Sequence, residues 1–126
     1  KIKMENDKAK FKKEFKDRVY KFVLQLIDFI DHLPNDNVSR RIGDQLLRSV
    51  TSIIGNYVEA QSASSKRDFI NYFTISLKSS NESKLWIELL RDSRRVKPEA
   101  VEPFLRELDE ITKIIAASIL TLKGKR

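Results

Sequence analysis

The run Ser49-Val-Thr-Ser-Ile-Ile-Gly-Asn-Tyr-Val-Glu-Ala60, then Gln61-Ser-Ala-Ser-Ser65, then Lys66-Arg-Asp-Phe-Ile-Asn-Tyr-Phe73, decides the fold. Val50, Ile53, Ile54 and Tyr57 recur at helical spacing before the serine-rich stretch; Phe69, Phe73, Leu77 and Ser80 do so after it. The pattern predicts one helix ending, a turn, and a second helix starting. Ser65 followed three residues later by Asp68 resembles a capping box with Asp in place of Glu. The hydroxyl would accept from orphan N–H groups of the first turn, and the carboxylate would sit at the positive end of the helix dipole.

Outward from this centre the same period continues. Phe11, Phe15, Val19, Phe22, Leu26, Phe29 and Leu33 form one apolar stripe and predict a first helix ending near His32. Residues 1–10 are polar and lysine-rich and are expected to be a frayed lead-in. A second apolar set, Tyr20, Val23, Leu24 and Ile27, lies around the side of that helix. One bundle core needs only the first stripe, so the second asks for a neighbouring subunit. Pro34-Asn-Asp-Asn37 reads as a turn, and the second helix is expected from Val38 or Ser39 to about Ala60. Its core face is Ile42, Leu46, Val50, Ile53, Ile54 and Tyr57. Ser49, Ser52, Gly55 and Asn56 lie along another side, where a partner helix can approach closely.

The third helix is expected from Lys66 to Arg94 or Arg95, with apolar residues on more than one face. Phe69, Phe73, Leu77 and Ile87 form one row. Tyr72, Trp86 and Leu90 lie beside it, and Ile75 and Leu89 opposite. Glu82 is one heptad from both Ile75 and Leu89, so it should be paired or hydrogen-bonded. Pro98 and Pro103 both suit a first helical turn. A short turn followed by a main helix from about Glu102 is expected, with Phe104, Leu108, Ile111, Ile115, Ile119 and Leu122 as its core stripe and 124–126 as a basic tail. Four long amphipathic helices with short connections predict an all-α, antiparallel up-and-down four-helix bundle, a single domain over 1–126.

The string Asn56-Tyr-Val-Glu59-Ala60, Ser64-Ser-Lys-Arg-Asp-Phe-Ile70, Ile75-Ser-Leu-Lys78 and Ser80-Asn-Glu82 resembles the four-helix-bundle proteins encoded in intervening sequences of bacterial 23S ribosomal RNA genes. The match in order and spacing runs from about Arg40 to Arg95. Ala60 departs from the expected glycine, so the second helix is expected to run on or turn differently here. The resemblance implies a small, non-enzymatic, usually pentameric bundle. It also implies kinship with accessory proteins of diversity-generating retroelements, which bind nucleic acid and a reverse transcriptase. It implies a polar cluster of Asn56, Glu59, Ser65, Asp68 and Glu82 between helices two and three, with Lys66, Arg67 or the Ser64-Ser65 backbone as partners.

Composition narrows the chemistry. The chain has 25 basic and 18 acidic residues, a net charge of +7, and no cysteine. Nine basic and four acidic residues lie between Lys1 and Lys21, where i,i+4 pairs such as Glu14–Arg18 and Asp17–Lys21 are expected. The absence of cysteine removes disulfides, thiolate metal sites and thiol nucleophiles, and suits a reducing cytoplasm. No signal-peptide pattern opens the chain, Lys1 is not expected to be the native start, and no stretch suits a membrane span. No phosphate-cradling glycine loop, zinc spacing or nucleophile elbow occurs. His32 is the single histidine, placed to complement a helix C-terminus. Glu107, Asp109 and Glu110 read as solvated. Glu59 and Glu82 resemble a di-metal bundle's inward pair but lack its further ligands. No enzyme, metal or cofactor is expected.

Two functions remain. The first is a homo-oligomeric accessory protein that meets RNA or DNA phosphates through Arg40, Arg41, Lys66, Arg67, Arg91, Arg94 and Arg95 at helix ends. The second is a protein-interaction scaffold. Tyr20, Leu24, Ile27, Ile75, Trp86 and Leu89 are the expected oligomer interface. The expected partners are the chain itself, a nucleic acid, and a reverse transcriptase or other protein.

Overall fold

The computed structural model describes residues 2–124. It contains four helices: α1 (Ile2–Asp31), α2 (Asn37–Gln61), α3 (Lys66–Asp92) and α4 (Pro98–Leu122). Each packs against its neighbours in sequence and α1 also meets α4, whereas among the described residues the diagonal helices are not adjacent. This is the up-and-down bundle expected from the sequence. Val19, Leu26, Leu46, Val50, Ile53, Ile87, Leu90, Leu108 and Ile111 are fully buried at its axis.

The ends of the helices differ from the sequence reading, each for a local reason. Residues 2–10 continue α1 as helix instead of fraying. Asp36, not a residue inside the helix, caps α2: its side chain accepts from the Ser39 N–H at 2.8 Å. The helix runs past Ala60, which is fully buried, to Gln61. Ser65 caps α3 as expected, accepting from the Asp68 N–H at 3.1 Å. α3 stops at Asp92, where Arg94 takes φ 65°. The Arg94 N–H donates to Arg91 O and the Arg95 N–H to Leu90 O, the paired bonds of a Schellman turn. α4 begins at Pro98, one turn before the predicted start, and carries Pro103 inside it. Pro98 fills the first turn, where its missing N–H costs nothing; Pro103 only deprives the Glu99 carbonyl of a donor near the exposed helix start. Because the helix starts early, Val101 and Leu105 join the core.

α2 and α3 form the tightest seam, and it is lined by hydroxyls. Ser49, Ser76, Ser79, Ser80 and Ser83 are buried. Ser49 Oγ lies 2.8 Å from Ser83 Oγ, and Ser52 Oγ 2.7 Å from Ser79 Oγ. Ser76 donates to the Ile53 carbonyl across the seam at 2.8 Å, and Ser80 bonds to Thr112 on α4. Small side chains bring the backbones together, and every buried hydroxyl has a partner, so the polar burial is compensated. Gly55 is not part of this seam: a Cβ built there would meet nothing within 4 Å. The close approach expected at Gly55 occurs instead at Gly43, where a Cβ would lie 3.0 Å from Leu33.

Candidate nucleic-acid interface

The antiparallel run of α2 and α3 sorts the predicted basic residues. Arg40 and Arg41 open α2, and Arg91, Arg94 and Arg95 close α3, so these five share one end of the bundle. Arg95 Nε lies 3.7 Å from Asp36 Oδ1, which ties the α3–α4 turn to the α1–α2 turn. Lys97 precedes α4 at the same end. Lys66 and Arg67 open α3 and lie at the opposite end. The seven residues therefore do not form one rim.

The local electrostatics of the rim are mixed. Arg40 donates to Asn35 Oδ1 at 2.7 Å and Arg41 to Asn37 Oδ1 at 3.1 Å, both neutral partners that leave the cationic charge uncompensated. Arg91 pairs with Asp92 at 2.8 Å. That bond holds the Asp92 carboxyl below its ordinary pKa and raises that of Arg91. The Ser39 backbone N–H, then the Ser39 hydroxyl, lower the Asp36 pKa, with Arg95 assisting. Arg94 is exposed, and its left-handed backbone costs about 1 kcal/mol relative to a relaxed conformation. Nothing in the sequence marks that strain, because glycine is the usual residue at this point of a Schellman turn. His32, at the same end, has its Nδ1 2.8 Å from the Asp28 carbonyl and 3.7 Å from the Asp28 carboxylate. Its pKa is raised, mainly by the backbone hydrogen bond.

The predicted polar cluster divides. Asn56 Nδ2 donates to the Ser52 carbonyl and to its Oγ, both at 2.9 Å. Ser65 and Asp68 make the α3 cap one end away. Glu82 meets Arg48 at 3.9 Å, not Lys66, Arg67 or the Ser64-Ser65 backbone. The register Ser49–Ser83 puts Glu59 about 14 Å along the seam from Glu82. Glu59 and Glu82 therefore form no inward pair. Glu107 is not simply solvated: Arg18 grips both its oxygens at 2.7 Å and joins α1 to α4. The expected Glu14–Arg18 and Asp17–Lys21 pairs are replaced by Lys10–Glu14 at 3.9 Å and Lys13–Asp17 at 2.9 Å. Asp109 meets Lys84 at 3.4 Å and Glu110 meets Lys113 at 3.7 Å.

All the predicted interface residues but Leu24 fall on two flanks of α2. Tyr20 and Leu24 are more than half exposed; by helical register Tyr20 borders the α1–α2 groove with half-buried Ile27 and Ile54 and exposed Leu47 and Val58, whereas Leu24 lies at the α1–α4 groove beside Lys21 and Pro103. Ile75 and Leu89, 44% and 40% exposed, border the α2–α3 groove with Trp86. Within this chain they are not covered by protein. Trp86 Nε1 is buried with no acceptor among the described residues.

Among the described residues no group of three or more His, Cys, Asp or Glu is placed to hold a metal ion. No helix among the described residues is long and apolar enough to cross a membrane. Fold and surface together define a small up-and-down helical bundle with a basic end and apolar flanks. The family model described as 23S rRNA-intervening sequence protein matches residues 12–117, and the chain belongs to that family. A similar solved structure is the crystal structure of a protein of unknown function from the S23 ribosomal protein family of Bacteroides thetaiotaomicron. It is 33% identical, covers 86% of this chain and 96% of its own, and superposes with a TM-score of 0.80. None of the curated proteins matches.

Proposed function

We propose that this protein is a non-enzymatic accessory protein. In this reading its copies assemble through the two apolar flanks of α2 and meet RNA or DNA phosphates at the arginine rim. The observation that carries the reading is the gathering of Arg40, Arg41 and Arg94 at one end, with no carboxylate bonded to any of the three among the described residues. Two unlike apolar flanks suit a head-to-tail contact, in which one flank of a copy meets the other flank of the next. Such contacts close into rings when the rotation allows. A five-membered ring would carry ~35 positive charges and repeat the rim around one face, where the fields add. Phosphate contacts of this kind carry little sequence information, so binding would depend on salt more than on sequence.

A gel-shift titration with duplex RNA and DNA probes at several salt concentrations tests this. Binding that weakens steeply with salt, and that is lost in Arg40→Glu/Arg41→Glu/Arg94→Glu, supports it. Absence of binding near physiological salt refutes it. The second reading, a scaffold for another protein, is favoured by the pairing of Arg91 with Asp92 and Arg95 with Asp36, which neutralises part of the rim. Charge reversal would then leave partner capture intact.

A further inference from the structure

At the end of the bundle opposite the rim, α1 and α4 part to leave an open cup of about 800 Å³. Five aromatic rings line it in a continuous run. Phe11 stacks on Phe15 with centroids 6.2 Å apart, and Phe15 meets Tyr57 edge-on at 5.2 Å. Tyr57 lies 5.6 Å from Phe73, which lies 4.7 Å from Phe69. Ala117 faces them from α4. The sequence stripe assigned Phe11 to the core, but the structure leaves it 52% exposed at the mouth.

Two polar groups of the wall are already used. The Tyr57 hydroxyl donates to the Lys12 carbonyl at 3.3 Å, and the Ser118 hydroxyl to the Ile114 carbonyl at 2.9 Å. The interior therefore offers mainly apolar surface, on which water finds few partners. Among the described residues the charge at the mouth is that of Lys8 and Lys12, with the carboxylate of Asp7 beside them.

We propose that this cup binds a small amphiphile with a flat or chain-like apolar body and one anionic end group. The lining runs from Asp7 to Phe15 on α1 and reaches Leu122 from Ile114 on α4, about 12 Å of each helix. Beyond Phe15 the Arg18–Glu107 pair ties the two helices together. The space suits a two-ring aromatic or a medium-length alkyl chain, and is short for the several turns of a docked partner helix. Its volume lies within the usual range for ligand sites, which bundles hold between their helices. Aromatic faces take up the apolar body, and the lysines at the mouth take the anionic end. The proposal is independent of nucleic-acid binding.

The test uses the full chain with the anionic dye 1-anilinonaphthalene-8-sulfonate and with decanoate as competitor. Saturable, blue-shifted fluorescence displaced by decanoate is expected. Ala117→Trp fills the cup and should abolish it. Phe11→Ser removes an exposed wall residue without opening the core and should weaken dye binding about tenfold. Lys8→Gln/Lys12→Gln should weaken the anionic dye while leaving the neutral N-phenyl-1-naphthylamine unchanged. Absence of saturable binding overturns the proposal, as does binding indifferent to Ala117→Trp in a folded variant. If Ala117→Trp fails to fold, Phe11→Ser decides: unchanged affinity overturns the site.

Discussion

Replacing Ser76 tests how closely α2 and α3 approach. Ser76 is fully buried, and its hydroxyl lies 2.8 Å from the Ile53 carbonyl on the facing helix. Ser76→Ala removes one hydrogen bond. The Ile53 carbonyl remains within its own helix ladder, so no buried acceptor is orphaned, and the cost should be about 1 kcal/mol. Ser76→Leu must place three more carbons where a hydroxyl already touches backbone. Side-chain rotation cannot clear that space, so the helices must separate, straining the neighbouring Ser49–Ser83 and Ser52–Ser79 bonds. Overpacking costs about 1–3 kcal/mol, and loss of two further bonds adds about 2 kcal/mol. With the Ser76 bond itself lost as well, Ser76→Leu should lie about 4–6 kcal/mol below wild type and well below Ser76→Ala. Urea unfolding followed by circular dichroism measures both, at one fixed protein concentration because assembly adds to apparent stability. If Ser76→Leu proves as stable as Ser76→Ala, the reasoning fails, since the seam would have room that the hydroxyl contacts deny.

Other outcomes follow from single contacts. A double-mutant cycle on Arg18 and Glu107 should give a coupling of about 1 kcal/mol: the bidentate geometry favours the pair, and its partial exposure limits it. A coupling near zero would remove it as a clasp between α1 and α4. Asp36 has its folded pKa lowered from an ordinary value of 3.8, chiefly by the Ser39 N–H. A lowered pKa means the stabilisation is complete above the ordinary value and is lost as pH falls through the folded one. Asp36→Asn keeps a good cap but cannot titrate, so it should lose less stability than wild type on acidification below about pH 4. Equal acid sensitivity in thermal melts would contradict that assignment. Arg94→Gly should leave stability unchanged or raise it by up to about 1 kcal/mol, because relief of the left-handed backbone offsets the added chain entropy. The same change should weaken nucleic-acid binding, and a clear loss of stability in denaturant unfolding would show that Arg94 has a structural role instead.

Much of the fold was legible because helical periodicity is a local property. The stripes through Val19, Leu26, Val50, Ile87 and Ile111 follow from spacing alone and lie at the bundle axis. The Ser65 cap was equally readable, since its partner stands three residues on. Ser80 kept the period of the row through Phe73 and Leu77, but Ser76, Ser79 and Ser83 were not readable as core, because a serine's burial depends on which hydroxyl the neighbouring helix presents. Arg18 chose Glu107 over Glu14 for the same reason: the better partner is 89 residues away. Phe11 kept the stripe's period but not its burial, because α4 diverges there. Antiparallel topology also separates Lys66 and Arg67 from the other predicted phosphate contacts, which residue type alone could not show.

In the proposed assembly, exposed Tyr20, Leu24, Ile75 and Leu89 are sheltered by further copies of the chain. Static light scattering on the eluting protein, at low and high concentration, measures this directly. A mass several times the 14.7 kDa of one chain is expected, about 74 kDa for a five-membered ring. A particle that remains at 14.7 kDa at high concentration would contradict it, and the shared positive rim would be lost with the assembly.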